Sequence, residues 1–348
     1  MLNLNLYLVP FLLSFFMSLV LAVFAMKFLE KKITCLNKKR TEKRHLHNKK
    51  GRQVSRLGGV AIIVAFVVTI ILDKNLLITK DIWGIIFGGF FILLVGFLDD
   101  LKEIGWKVQL FFQFIAVSLV FIFGARIHYI TNPFGEAIQF DSDLKIAFGV
   151  LLAIIWSLVL INAMNWLDGI DGLSGGVALV GAMTIFLLSL KPEVNQPPVA
   201  IIAIALAGSL LAFLILNFYP AKIMAGTSGA FFMGFILASL SVFAGTKIAT
   251  TLLVLIIPII DFFWVIGRRI KLKKSIFEAD REHLHHKLLD MGWSQRKISL
   301  FFYSITVSIA LIALNIGASG KVALVALLIL VAFLFFGLIN NYNLYLKK

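Results

Sequence analysis

Long apolar runs, separated by short polar breaks, follow one another along the whole chain. They fall at 6–26, 57–72, 82–98, 107–124, 144–162, 175–190, 198–216, 229–244, 249–266, 298–316 and 321–339. An apolar helix of about 17–25 residues crosses a hydrocarbon core of ~30 Å. The pattern therefore predicts an all-α polytopic membrane protein with about eleven transmembrane helices, folded as one integral-membrane domain over residues 1–348. The longest polar stretches are 27–56 and 267–297, and neither leaves room for an extended soluble domain. No basic segment precedes the first run, and Lys27, Lys31 and Lys32 follow it at once, so it reads as a span and not as a cleavable signal peptide.

Composition agrees. Hydrophobic residues make up 60% of the chain and charged residues 15%, with a mean hydropathy of +0.97. A soluble protein could not cover its surface with that mixture. Charge then gives orientation. With the loops assigned to alternating sides, the set 27–56, 99–107, 163–174, 217–228, 267–297 and 340–348 holds 26 of the 33 lysines and arginines. The positive-inside rule makes this set cytoplasmic, the N-terminus external, the C-terminus internal and the number of crossings odd. The net charge of +15 is mostly this topology signal. It also suits anionic headgroups and phosphorylated substrates. Nucleic acid is a poor match, because the basic residues flank membrane spans. The single cysteine, Cys35, excludes an intrachain disulfide and reads as an incidental thiol.

The unusual polar residues gather on the same face. Asp99 and Asp100 end the third run in GFLDDLKEIGWKVQ. The fifth run enters NAMNWLDGIDGLSGG, with Asn162, Asn165, Asp168 and Asp171. The seventh ends at Asn217, and the ninth leads to DREHLHHKLLDMG, with His283, His285 and His286. Carboxylates persist at membrane depth chiefly for function. A transporter would hold them near the midplane, at broken helices. Here they lie at one interface, which favours a site reached from the cytosol. Adjacent Asp99 and Asp100 suit a hard cation, a general base, or simply a solvated helix cap. The spacing of three from Asn162 to Asp171 predicts a polar stripe on one helix face; an Asn/Asp turn around Gly169 and Gly172 is the alternative. The histidines lie among Arg268, Arg269, Arg281 and Lys287, which favours a phosphate partner over a zinc site. If their segment is helical, His283 and His286 share a face and His285 points elsewhere. Asp261, in the ninth run, has a structural role as its expected part, and Pro258 a local break that would let it reach Arg268 or Arg269. From the residues alone the reading is metal-dependent phosphoryl transfer or hydrolysis at the inner face.

Five segments in order, RLGGVAI at 56–62, GFLDD at 96–100, NAMNWLDGIDGL at 162–173, NFYPAKI at 217–223 and DREHLHH at 280–286, resemble the polyprenyl-phosphate N-acetylhexosamine-1-phosphate transferases, the family of WecA, TagO and MraY. The interrupted histidine pattern is similar to the WecA/TagO branch. The resemblance implies that a polyprenyl phosphate, undecaprenyl phosphate in the expected case, attacks the β-phosphate of a UDP-N-acetylhexosamine. The products are the polyprenyl-diphospho-sugar and UMP, and the cofactor is Mg²⁺, with Mn²⁺ as a substitute. It implies catalytic roles for Asp99, Asp100, Asp168, Asp171, His283 and His286. It implies substrate contacts from Asn162, Asn165, Asn217, Gly226, Arg281 and His285, and a metal set of Asn165, Asp100 and Thr227. One departure stands out: Thr227 takes the place of a family aspartate that binds Mg²⁺, and a neutral hydroxyl is a weaker ligand. Ser55 likewise stands where a proline is common. UDP-GlcNAc is the expected donor, feeding cell-surface polysaccharide or teichoic-acid-type synthesis; UDP-GalNAc and UDP-MurNAc-pentapeptide are same-class alternatives. An ion-coupled transporter is the alternative from a different class. The expected location is a bacterial-type cytoplasmic membrane, multi-pass, with the site on the inner face. The partners are the two substrates and the lipid bilayer, with a homodimer left open.

Overall fold

The computed structural model describes residues 4–29, 54–127, 129–130, 132, 135–243, 248–276 and 282–345. Cys35, Arg281 and most of the basic loop 27–56 lie outside the described residues. The helices are α1 (Leu4–Phe24, continued by a π-helical turn at Ala25–Leu29), α2 (Gly58–Leu72), α3 (Lys80–Lys102), α4 (Trp106–Ile122), α5 (Asp143–Leu167), α6 (Leu173–Ser189), α7 (Pro197–Asn217), α8 (Gly226–Phe243), α9 (Ile248–Val254), α10 (Ile256–Lys271), α11 (Leu284–Asp290), α12 (Gln295–Asn315) and α13 (Ala318–Tyr345). Each apolar run of the sequence falls on one of them, except 249–266, which is split between α9 and α10. Among the described residues, seven helices (α1, α3, α5, α7, α8, α12 and α13) are long and apolar enough to cross a membrane, and the bent pair α9–α10 makes an eighth if it is one span. The apolar helices α2, α4 and α6 are shorter, at 15, 17 and 17 residues. A two-stranded antiparallel ribbon, β1 (Tyr129–Ile130) and β2 (Ile138–Gln139), lies between α4 and α5 and departs from the all-α expectation.

The break between α9 and α10 turns the chain by 75° at Leu255, one turn before Pro258. Proline removes the N–H that would bond to the carbonyl four residues back, here that of Val254, and its ring clashes with that carbonyl. In the first turn of the new helix α10 the missing N–H costs nothing. The proline thus causes the break but sits just beyond it.

Helices in lipid gain little from burying apolar surface against one another, so close backbone approach and interhelical hydrogen bonds must hold them. Helix α8 shows this best. It is buried along nearly its whole length, between α2, α3 and α5. A Cβ on Gly59 would lie 2.2 Å from the Gly229 nitrogen, and one on Gly96 would lie 2.2 Å from the Ser228 Cα. Trp156 Nε1 donates to Ser241 Oγ at 2.9 Å across α5–α8, and Ser18 Oγ donates to the Ser209 carbonyl at 2.9 Å across α1–α7. The outward faces carry Phe16, Val20, Phe111, Phe148, Leu330 and Phe333, all exposed, as surfaces against acyl chains should be.

Gly96 is the tightest of these contacts to the carboxylates that follow it. Gly96→Val should force α3 from α8 and lower stability by about 1–3 kcal/mol or more. Thermal unfolding in detergent should show a lower midpoint for Gly96→Val, whereas Gly105→Val, at a glycine with open space around it, should leave the midpoint in place.

Candidate active site

The site begins where α3 ends and α8 starts. Gly226 opens α8 with φ of +69°, and a Cβ there would meet the Arg56 carbonyl at 2.5 Å and Asp100 Oδ2 at 2.6 Å. Only glycine allows that turn without strain. A helix leaves its first N–H groups without partners, and a carboxylate satisfies them and opposes the helix dipole. Asp100 does this for α8. Its Oδ1 accepts from Thr227 N at 2.9 Å, and its Oδ2 accepts from Ser228 N and Ser228 Oγ, each at 3.2 Å. Asp99 is buried, at 6% exposure. Its Oδ1 accepts from Ile104 N at 3.0 Å and Gln109 Nε2 at 2.9 Å, and its Oδ2 accepts from Thr227 Oγ1 at 2.7 Å. Thr227, expected among the metal ligands, donates a hydrogen bond from its hydroxyl to Asp99. Both carboxylates are thus held by donors of the protein itself.

The RLGG segment brings a cation to this point. Met224 N donates to the Ser55 carbonyl at 2.7 Å, Gly58 N to Met224 at 3.0 Å and Gly59 N to Ala225 at 2.9 Å. These bonds pin the loop before α8 and place Arg56 within electrostatic reach of Asp100 and Asp168. Arg56 is the residue that the sequence reading left out of the site, although it opens the first of the five segments.

The polar stripe of α5 ends sooner than its spacing suggests. The helix stops at Leu167, so Asn162 and Asn165 lie on it, Asp168 caps it, and Asp171 lies in the loop beyond. Asn162 Nδ2 donates to Gln113 Oε1 at 2.8 Å and to the Leu158 carbonyl at 2.8 Å, which ties α4 to α5. Asn217 is held in the same way. It is 1% exposed, its Oδ1 accepts from Gly172 N at 3.0 Å, and its Nδ2 donates to the Ile223 carbonyl at 2.7 Å. It joins two loops. Asp171 continues the joint, with Oδ2 accepting from Ala221 N at 3.0 Å, while its own N–H donates to Gln295 Oε1 at 3.0 Å. The side chain of Asn165 makes no hydrogen bond among the described residues and is only partly buried.

Asp168 accepts a hydrogen bond from Ser174 Oγ. Its carboxyl is pushed up to about 7, chiefly by loss of hydration; the Ser174 hydroxyl and the Arg56 charge oppose the rise, and Asp100 and Asp171 add to it. Burial also raises Asp171, against the opposing hydrogen bond from Ala221.

The histidines close the other side. His283 caps α11, and its Nδ1 lies 2.8 Å from Asp261 Oδ2, while Leu284 N donates to Asp261 Oδ1 at 2.9 Å. Asp261 therefore meets His283, not Arg268 or Arg269. Arg268 instead pairs with Glu282, and Arg269 lies over the Trp166 ring at 4.9 Å from its centroid. His285 does not point away. It is fully buried, neither ring nitrogen has a partner among the described residues, and a Cβ on Gly169 would lie 2.2 Å from its Nε2. Burial, followed by the nearby His286 and His283, holds its pKa well below the usual histidine value. It is neutral and offers hydrogen bonding without charge. The ring of His286 lies 4.2 Å from that of His285, centroid to centroid. The contact between His285 and Gly169 joins the histidines to the Asp168 loop.

Among the described residues, no three His, Cys, Asp or Glu side chains converge to hold an ion by themselves. The donors near Asp168 are hard oxygens, the type that Mg²⁺ takes one or two of when substrate phosphates complete its shell. The set fits a cation shared with a substrate.

A polytopic helical membrane protein with a carboxylate, arginine and histidine cluster at one end of its bundle is the class these features define. The glycosyl transferase family 4 pattern matches residues 82–245. The probable undecaprenyl-phosphate N-acetylglucosaminyl 1-phosphate transferase of Bacillus subtilis (strain 168) is 30% identical over 256 residues, 72% of this chain and 70% of that protein. The decaprenyl-phosphate N-acetylglucosaminephosphotransferase of Mycobacterium leprae (strain TN) is 30% identical over 278 residues, 71% of this chain and 69% of that protein. The phospho-N-acetylmuramoyl-pentapeptide-transferase of Borreliella burgdorferi (strain ZS7) is 30% identical over 303 residues, 78% of this chain and 84% of that protein. The chain belongs to the polyprenyl-phosphate N-acetylhexosamine-1-phosphate transferase family, as its five segments led one to expect.

The raised Asp168 carboxyl gives a testable sign. Its neutral form is favoured in the folded protein, so folding takes up a proton between the ordinary carboxylate range and about 7. The stability that Asp168 contributes should fall as pH climbs from about 4 through about 7. Asp168→Asn should remove that part of the decline: between about pH 5 and about pH 8 its unfolding midpoint in detergent should drop less than that of the wild type. An equal or larger drop would contradict the assignment.

Proposed function

We propose that the protein transfers N-acetylglucosamine-1-phosphate from UDP-GlcNAc to a polyprenyl phosphate, releasing UMP, at the cytoplasmic face of a bacterial-type membrane. The observation that carries the reading is convergence. Segments far apart in sequence bring Arg56, Asp100, Asp168, Thr227 and the histidine group to one end of the bundle. Two of the relatives above are named for transfer to undecaprenyl or decaprenyl phosphate, and both names carry N-acetylglucosamine. Among the described residues, counting the bent pair and the three shorter apolar helices as crossings gives eleven, an odd number that agrees with an external N-terminus and a cytoplasmic site under the positive-inside rule.

In this reading an oxygen of the lipid phosphate attacks the β-phosphorus of the donor, and the bond to the UMP oxygen breaks. Both reactants are anions, so the first task is to offset charge at the reacting centre. Arg56 supplies a fixed cation, and His283 and His286 contact phosphate oxygens. Asn165, Asp100 and Asp168 are the oxygen donors that would hold Mg²⁺, or Mn²⁺ in its place; the ion would neutralise the diphosphate. Thr227 adds no charge of its own, so metal affinity leans on the substrate. The lipid phosphate has a second pKa of about 6 and is largely ionised near neutrality, so a strong general base is not required. Cell-surface polysaccharide or teichoic-acid-type synthesis is the pathway that such a product would feed.

The match to the Borreliella burgdorferi protein supports a second donor, UDP-MurNAc-pentapeptide, for the same chemistry. Detergent-purified protein with polyprenyl phosphate and Mg²⁺ should release UMP and form a lipid-linked diphospho-sugar from UDP-GlcNAc. Its kcat/KM should be at least about 10-fold higher than with UDP-GalNAc or UDP-MurNAc-pentapeptide. Preference for the pentapeptide donor would replace the first reading with the second, and no UMP from any donor would overturn both.

A further inference from the structure

Asp261 is a carboxylate on a membrane helix that the reaction above does not use. It lies in α10, just past the 75° bend, at 3% exposure. Burying a carboxylate there is costly unless each oxygen is satisfied. Both are: Oδ1 by the backbone N–H of Leu284 at 2.9 Å, and Oδ2 by His283 Nδ1 at 2.8 Å. We propose that Asp261 is a positioning residue, which holds the proton of His283 on Nδ1 and so presents Nε2 to a phosphate oxygen of the substrate. The inference rests on the transferase reading.

Three observations make this more than a tie between elements. A carboxylate accepts, so Nδ1 is the donor and the tautomer is set. The ring is also fixed in plane. Trp166 lies 5.2 Å away on a tilted face, and His285 stacks at 5.7 Å with an interplanar angle of 5°. Trp166 stands two residues before Asp168, so the ring lies along the loop that carries the site. Finally, Nε2 has no hydrogen-bond partner among the described residues and, unlike the nitrogens of His285, is not sealed from access. Charged and titratable groups around the ring are Asp261 and Arg269 from α10, the latter across Trp166, and His285 and His286 from α11; Glu282, beside it in sequence, pairs with Arg268 and, at 3.8 Å, Lys287. Among these, Asp261 is the acidic partner that touches the ring. Without it the imidazole can take either tautomer.

Asp261→Asn keeps the shape and removes the charge. Turnover measured as UMP release should fall about 10-fold or more, while KM for the nucleotide sugar should change by less than about 3-fold. Nitrogen-15 NMR of histidine-labelled protein, with His283 assigned through His283→Gln, should show the Nδ1-protonated form in the wild type and a tautomer mixture in Asp261→Asn. Unchanged turnover, or an unchanged tautomer in the variant, would overturn the proposal. If Asp261→Asn does not fold, the wild-type spectrum decides, since an Nε2-protonated His283 would overturn it as well. Wild-type protein that makes no UMP counts against the transferase reading, and the tautomer then judges Asp261 separately.

Discussion

The start of α8 is fixed by two neighbouring carboxylates at the end of α3. Asp100 takes the first N–H groups of the helix, and Asp99 takes the hydroxyl of its second residue, Thr227. The loop before α8, and the segments that this loop receives, are hung from that joint. The helix dipole and the N–H groups give the carboxylates fixed partners where water is scarce. In return the carboxylates set where α8 begins, hence where the loop 221–225 lies. That loop in turn receives the RLGG segment by backbone hydrogen bonds and Asp171 through Ala221.

The membrane makes such a joint affordable. Between α3 and α8 the glycines leave no side chain in the way, and the Gly96 backbone lies against Ser228. The same closeness brings Asp99 and Asp100 to the helix end within bond length of their donors. Where the packing relaxes, past Leu167, the chain leaves the helix and turns through Gly169 and Gly172, and this turn makes room for His285. Rigid helices thus supply precision, and the loops between them supply the groups that meet ligands.

The bilayer imposes its length on the sequence, so the apolar runs revealed every long helix and the basic loops gave an orientation. Local spacing was less reliable. The interval of three from Asn162 to Asp171 outlasts the helix, which ends at Leu167, just before Asp168 and Gly169. Amide roles were hidden because the partners are remote: Asn162 meets Gln113 49 residues away, and Asn217 meets Gly172 45 residues away. The pairing of Asp261 with His283 spans 22 residues and depends on the bend at Leu255, which a proline signals but does not aim. Arg56 reaches the site through backbone bonds between residues 55–59 and the loop before α8, the parallel bridge of Ser55 with Ile223 among them, and no local pattern announces that. The two-residue strands of the ribbon are too short for any periodicity to show.

On the proposed reading, Asp99 and Asp100 already accept hydrogen bonds from the protein and Thr227 brings no charge, so Asn165, Asp100 and Asp168 would hold the cation tightly only once substrate phosphates complete its shell. Electron paramagnetic resonance of Mn²⁺ titrated into the purified wild-type protein tests this directly. The account predicts weak binding, with a Kd on the order of a millimolar, in the absence of nucleotide, and binding at least about 10-fold tighter than to either component alone when UDP-GlcNAc is added. Stoichiometric, micromolar Mn²⁺ binding by the substrate-free protein would contradict it.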